Sequence, residues 1–410
     1  MDILLISPNP PSRIWVRSYG FIQHLRQKHK VTVLVQVRTA REKKDVEVLL
    51  GEGYEIIPVY ESQWSALLRC GMALCSQEPL QAAYAHSPQL LARVRQLLAR
   101  RHFDIIQVEH LRGIASLEPI LPEYPFVWDA VDCISQLWKK AQAARMNIKT
   151  TLLALLEQKR TEIYEQRMMQ KVSHVLAISE DDSRALAALR DRYTNGVIQS
   201  AHVDVVPCGV DLDYFQPTME SHQLYNLVFF GKMSYHANIA AVHHLYQNIM
   251  PLVWKEFPMA TVTIVGSQPP KSVLALQSDH RIRVTGYVDD LRPYVRRAHV
   301  MISPLVYSAG MQSKILEAMA LGTPTVITQQ SASALAVRSG YHTLVATDAQ
   351  SFAQQAIRLM ADDQLRASIA LQGRKYVEQY HNWFHIVDHL VDIYRLVLQV
   401  AGSVQGTEVS

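Results

Sequence analysis

Along most of the chain, short apolar runs closed by turn-forming residues alternate with longer stretches whose apolar positions recur every three to four residues. That alternation is what parallel strands joined by crossover helices produce. In the first half the strand-like runs are DILLIS (2–7), KVTVLVQV (30–37), YEIIPVY (54–60), FDIIQVE (103–109), FVWDAV (126–131) and HVLAIS (174–179). The longest helix-period segment, Ile134 to Gln170, is rich in strong helix formers. After VDVVPCGVDLDYFQP (203–217) the pattern restarts with NLVFFG (226–231), followed by TVTIVG (261–266), RIRVTGY (281–287), HVMISPL (299–305), TPTVIT (323–328) and HTLVAT (342–347).

Two consecutive α/β blocks predict two Rossmann-like domains facing each other across a deep cleft, which is the default ligand site. The expected divisions are 1–207, 208–383, a helix at 384–401 and a frayed tail at 402–410. The helix spaces Phe384, Val387, Leu390, Val391, Tyr394 and Leu398 along one face, and that face can pack on either domain.

Composition narrows the function classes. The chain has 410 residues, and 41 Lys+Arg against 37 Asp+Glu leave a net charge of +4, too slight to indicate nucleic-acid binding on charge alone. Cys70, Cys75, Cys133 and Cys208 are scattered without CxxC spacing, which predicts reduced thiols and no zinc site built on cysteine. No signal peptide and no spanning helix are visible, so the expected location is cytoplasmic. The stretch at 137–156 places Lys139, Lys140, Arg145 and Lys149 beside apolar residues as interfacial helices do, and admits a peripheral position on the inner face of a membrane.

The dinucleotide fingerprint GxGxxG and the phosphate loop GxxxxGK[ST] are both missing. The first strand instead ends in SPNPPSRIWVRS, which sets Arg13 and Arg17 in a loop of the kind that lines an α/β crevice; solvated arginines on a stiff turn are the competing reading. In the second block FFGKM puts Gly231 and Lys232 at a strand's carboxyl end, where a lysine can meet a phosphate. VTGYVDDL brings backbone groups around Tyr287 and Val288 to a similar place, followed by a helix capped near Asp289 or Asp290.

The stretch SAGMQSKILEAMALGTP (308–324) reads as a helix ended by Gly322 and Pro324. Its first turn collects Gly310, Met311, Gln312, Ser313 and Lys314 around free N–H groups, an anion site in which a cation gains a partner. Glu317 is adjacent on the helix surface and would point to the same cleft, or simply pair with Lys314. In the first block Glu109, His110, Asp129 and Asp132 fall at strand ends, where they are candidates for acceptor binding and proton transfer. Of the two aspartates Asp129 is preferred, since Asp132 reads as a helix cap.

VVPCGVDLDYFQP, FFGKM, VTGYVDDLRPYVRRAHVMISPL and SKILEAMALGTPTV, in this order over 205–330, resemble the family 4 (group 1) retaining glycosyltransferases of GT-B fold. SPNPPSR, FDIIQVEH and HVLAISEDDSRAL match more loosely, and WDAVDCISQLW is similar to a polysaccharide-associated subgroup. The resemblance implies transfer of a sugar from a UDP- or GDP-linked donor to a hydroxyl acceptor with retention, in polysaccharide, glycolipid or glycoconjugate synthesis. It implies a diphosphate on Lys232, Lys314 and the N–H groups near Gln312 and Ser313, a ribose on Glu317 and a base near Tyr287 and Val288. Asp129 stands where many members carry a histidine beside acceptor and sugar.

The sequence departs from that pattern in places. The first of the family's two glutamates is replaced by Ala309, Lys232 stands for the common arginine, and SYHAN lacks the second cation. No DxD motif lies in a metal-binding context, so neither metal nor cofactor is expected and the partners are a nucleotide sugar and a saccharide, lipid-linked or small hydroxyl acceptor. Two competing readings are a nucleotide-sugar epimerase of the same fold and a non-catalytic nucleotide-sugar-binding protein.

Overall fold

The computed structural model describes residues 1–12, 16–143, 148–192, 202–218, 223–306 and 312–407. Contacts divide the chain into two compact units. The first comprises Met1–Gly209 together with the chain from Trp383 onward, and the second Val210–Asn382.

Unit 1 holds a parallel sheet of β1 (Asp2–Ser7), β2 (Lys30–Val37), β3 (Glu55–Tyr60), β4 (Ile105–Glu109), β5 (Phe126–Val131), β6 (His174–Ala177) and β7 (His202–Val205), in the order β3-β2-β1-β4-β5-β6-β7. The central strands are apolar on both faces: Ile3, Leu4, Ile105, Phe126 and Val127 are all inaccessible to solvent, as a sheet covered by helices on both sides requires. Unit 2 repeats the plan with β8 (Gln223–Phe230), β9 (Thr261–Val265), β10 (Ile282–Val284), β11 (Ala298–Ser303), β12 (Thr325–Thr328) and β13 (Leu344–Ala346), in the order β10-β9-β8-β11-β12-β13. In each sheet the winding reverses beside the unit's first strand, between β1 and β4 and between β8 and β11. Crevices for ligands open at that point, outside the carboxyl ends of the strands.

Three elements differ from the pattern reading. A seventh strand, β7, closes the first half, its four residues HVDV too short to stand out against the loop that follows. The single long helix over 134–170 is two helices, Ile134–Ala143 and Ile148–Met169. The last helix runs from Trp383 to Thr407, through residues expected to fray.

That helix packs on unit 1, and its inward face starts one residue earlier than the periodicity suggested. Trp383 is buried, whereas Phe384 is exposed and lies edge-on to His24. Trp383 also lies edge-on to Phe21. A Cβ added at Gly20 would fall 2.1 Å from the Trp383 ring and one at Gly209 2.5 Å from it, so both glycines are needed for the indole to seat. Farther along, the Tyr394 hydroxyl donates to Gln107 of β4. No helix among the described residues is long and apolar enough to cross a membrane.

Candidate functional site

In unit 2 the buried run Leu227–Phe230 carries β8 to Gly231, at φ 149°. Gly266, at φ 154°, ends β9 beside it, and a Cβ there would lie 1.8 Å from the Gly231 carbonyl oxygen. Glycine at both positions lets the two strand ends touch backbone to backbone, which holds the floor of the crevice flat. The Gly231 N–H donates to Val265 at 3.0 Å, and the Gly266 N–H donates to the Gly286 carbonyl at 3.1 Å.

Across the winding reversal, the helix Ser313–Ala320 starts after β11. It buries Ile315, Leu316, Ala318, Met319 and Ala320, and Gly322 at φ 74° with Pro324 ends it. Its burial pattern turns Lys314 and Glu317 away from the core, and the Lys314 Nζ donates to Asn238 Oδ1 at 2.6 Å, 4.7 Å from the centroid of the Phe229 ring. Asn238 is itself buried and donates through Nδ2 to the Lys232 carbonyl at 2.9 Å. A Cβ at Gly231 would come within 2.8 Å of Asn238 Nδ2 and 3.3 Å of Lys314 Nζ, so the glycine clears the space in which the two side chains meet.

Burial lowers the Lys314 pKa to about 8, with the Glu317 charge opposing the shift. Burial raises Glu317 to about 7, opposed by Lys314. Each group is charged at a cost that the other reduces, and a bound anion would add to the stabilisation of the lysine. Lys232 is exposed at the mouth of this crevice, Ser313 and Gln312 are half-buried at the helix start, and the Ser313 and Lys314 N–H groups belong to the first turn, which intrahelical bonds leave open.

Tyr287, 74% exposed, and the half-buried Val288 follow β10, so the described positions picked out from sequence in unit 2 lie past the carboxyl ends of β10, β8 and β11. Asp290 accepts from the Arg292 N–H at 2.9 Å and so caps the next helix. Gly310 and Met311, like Ala309, lie outside the described residues. Asn238 was not anticipated. Its signal was its place in HANIAAVHH, in phase with the buried Ala241 and Val242 of the same helix.

Unit 1 revises the acceptor-side expectations. Arg17 and Asp129, expected to meet an acceptor, are 5% and 0% exposed and pair with each other through two hydrogen bonds of 2.8 Å. Arg17 Nη1 also donates to the Val206 carbonyl at 2.6 Å, and Gln107 Nε2 approaches Asp129 at 3.4 Å. Burial works against the Arg17 charge, but Asp129 outweighs it and holds the guanidinium above its ordinary pKa. Both side chains are spent on an internal tie between β5 and the chain leaving β7, with no surface from which to touch a ligand.

At the unit 1 winding reversal, Ser7 ends β1 and donates to Glu109 at the end of β4, at 2.5 Å. Burial raises the Glu109 pKa, a shift that Ser7 opposes. His110 follows at φ 62°, its Nδ1 accepting from the Arg112 N–H at 3.1 Å, which leaves the proton on Nε2. Burial takes its pKa to about 3, so it is a neutral donor at physiological pH. Val131, at φ 66°, ends β5 in a conformation that β-branched residues rarely adopt. The next residue, Asp132, has a carboxyl raised to about 7 by burial and by Asp182, and its Oδ1 has no hydrogen-bond partner among the described residues. Arg13 lies outside the described residues.

Residues 225–362 match the protein family described as Glycosyl transferases group 1. Among curated proteins, a phosphatidyl-myo-inositol mannosyltransferase of Mycobacterium leprae is 29% identical over 30% of this chain and 34% of its own length. A lipopolysaccharide core biosynthesis glycosyltransferase, LpsE, of Rhizobium meliloti is 31% identical over 23% of this chain and 28% of its own. The chain thus spans about a third of the length of the curated relatives it matches. The structure of Anabaena HepE in complex with UDP-glucose superposes with a TM-score of 0.66 at 15% identity, covering 96% of this chain and 99% of that one. The architecture, two α/β units with parallel doubly wound sheets, is the GT-B fold.

Proposed function

We propose that this protein is a metal-independent retaining glycosyltransferase of family 4, which moves a hexose from a UDP- or GDP-linked donor to a hydroxyl acceptor in polysaccharide, glycolipid or glycoconjugate synthesis. The observation that carries the reading is the half-buried Lys314, its ammonium held by Asn238 at 2.6 Å beside the amino terminus of its helix and above the Gly231–Gly266 floor. A cation with a lowered pKa next to the N–H groups of a helix's first turn suits an anion that gains charge as its bond to the anomeric carbon breaks. Lys314, Ser313 and Gln312 would hold the diphosphate, Lys232 would close over it, Glu317 would take the ribose, and Tyr287 and Val288 the base. With the leaving group stabilised in this way, no metal is needed to neutralise it. On the acceptor side Glu109, His110 and Asp132 take the role, His110 as a neutral donor.

Support for the donor comes from the structural likeness to HepE with UDP-glucose, and support for a lipid-linked or saccharide acceptor from the mannosyltransferase and core-glycosyltransferase relatives. Support for a peripheral position on the inner face of a membrane comes from the helix Gln63–Ala73, which exposes Trp64 (78%), Leu67, Leu68 (70%) and Met72. Arg160 of the helix Ile148–Met169 donates to the Ala73 and Leu74 carbonyls, joining this face to that helix, where Leu155 and Leu156 are also exposed.

The test is incubation with a panel of nucleotide sugars, following UDP or GDP release with and without lipid extract. Acceptor-dependent release supports transfer. Interconversion of the free nucleotide sugar points to an epimerase, and tight binding without turnover across the panel to a non-catalytic protein.

A further inference from the structure

β6 and β7 lie side by side and parallel, with His174 opposite His202 and Leu176 opposite Asp204. Successive side chains on a strand alternate in direction, so residues 202 and 204 share a face, and His174, their neighbour across the ladder, shares it too. The sequence HVD at the edge of the sheet thereby becomes a three-ligand cluster once β6 is beside it. His174 Nε2 is 2.6 Å from Asp204 Oδ2, and His202 Nδ1 is 3.5 Å from the same oxygen. The imidazoles stack with centroids 5.6 Å apart and planes at 16°. One ligand atom from each residue lies within 4.8 Å of the others.

We propose that His174, His202 and Asp204 bind a divalent transition-metal ion, with Zn²⁺ as its representative. Two imidazoles and one carboxylate suit zinc and its neighbours in the series, whereas Mg²⁺ and Ca²⁺ prefer oxygen sets. Ligands about 2.0–2.1 Å from a tetrahedral zinc stand about 3.3 Å from one another, close to the spacing already present. On binding, the proton now held between His174 Nε2 and Asp204 leaves to solvent, and both atoms turn to the metal. Three protein ligands leave the fourth position to water.

His174 is nearly buried and fixes the site, Asp204 is 30% exposed, and His202 at 76% gives access from solvent. The cluster sits at the amino-terminal ends of β6 and β7, the opposite end of the unit 1 sheet from Glu109 and Asp132. Its task is structural: it ties the edge strand, which pairs within the sheet only with β6, to its neighbour. It takes no part in the reaction proposed above, and nothing in it depends on that proposal.

The experiment uses the full chain stripped with EDTA, titrated with ZnCl₂ against a chromophoric chelator, with melting followed in parallel. The expected result is one zinc per chain at this site and a rise in Tm of a few degrees at saturation, since a ligand bound to the folded state alone stabilises it. His202→Ala and Asp204→Asn should each weaken that binding by tenfold or more and abolish the rise. His280→Ala, which removes an exposed histidine of unit 2, should change neither. With Co²⁺ the wild type should show visible d–d bands that the His202→Ala protein lacks. Equal zinc affinity and equal Tm in the wild type and His202→Ala would overturn the proposal, as would an absence of zinc binding by the wild type.

Discussion

Lys314 and Asn238 approach from opposite sides of the unit 2 winding reversal, one after β11 and one after β8, and meet at 2.6 Å. The amide oxygen is the hydrogen-bond acceptor that makes a half-buried ammonium tolerable while leaving its charge unneutralised. Replacing Asn238 with alanine should therefore weaken binding of UDP or GDP by about tenfold, the worth of one charge-assisted hydrogen bond, and leave uridine or guanosine binding nearly unchanged. Calorimetric titration of the four ligands checks this, and an equal loss for nucleoside and diphosphate would refute the phosphate role of Lys314.

The acid–base state of Lys314 gives a second expectation. Its pKa in the free protein is about 8, below that of an exposed lysine, and only the charged form pairs with a diphosphate. Affinity should fall as pH rises through 8, approaching tenfold per unit above it. Binding restores the proton, so at pH 8–9 the measured enthalpy should depend on the buffer's ionisation enthalpy. Lys314→Gln should bind more weakly and lose most of both dependences.

The Arg17–Asp129 pair should behave as structure. Replacing either partner alone, as in Arg17→Met or Asp129→Leu, leaves the other charge buried and is expected to cost about 3–5 kcal/mol in urea unfolding. The double variant should recover much of that loss, because no unpaired charge remains. A double variant no more stable than the worse single one would contradict this account.

Gly266→Ala tests the crevice floor. The added methyl would sit 1.8 Å from the Gly231 carbonyl oxygen at a φ of 154°, so the two strand ends must part. Loss of stability of about 2 kcal/mol or more is expected, together with loss of nucleotide binding. Gly286→Ala, where a Cβ meets nothing within 4 Å and only the strain of a φ of 71° is added, should retain more of both.

Much of the fold was legible because both sheets are parallel and covered on both faces, which makes their strands near-continuous apolar runs. DILLIS, KVTVLVQV and FVWDAV have the bounds that the structure gives them. β7 was not legible, since an edge strand of four half-polar residues differs little from a loop. The unit 2 crevice could be read because it is built from local signals, a glycine after a strand and a helix start with a misplaced cation. Asn238 could not, because it meets Lys314 only through the β8–β11 adjacency. Asp129 misled for the same reason: nothing in WDAVDCIS says that Arg17, 112 residues away, takes both of its oxygens.

The seat that Gly20 and Gly209 make for Trp383 has a consequence for how the protein is made. Unit 2 is a continuous stretch of chain, so all of it has left the ribosome before Trp383 appears. Unit 1, begun first, must wait with the Trp383 seat and the apolar side of its first helix uncovered until Trp383 and the helix that follows it are translated. A chain stopped at residue 382 should therefore hold a complete second half and an unfinished first one, the half that a nascent-chain chaperone would have to shelter.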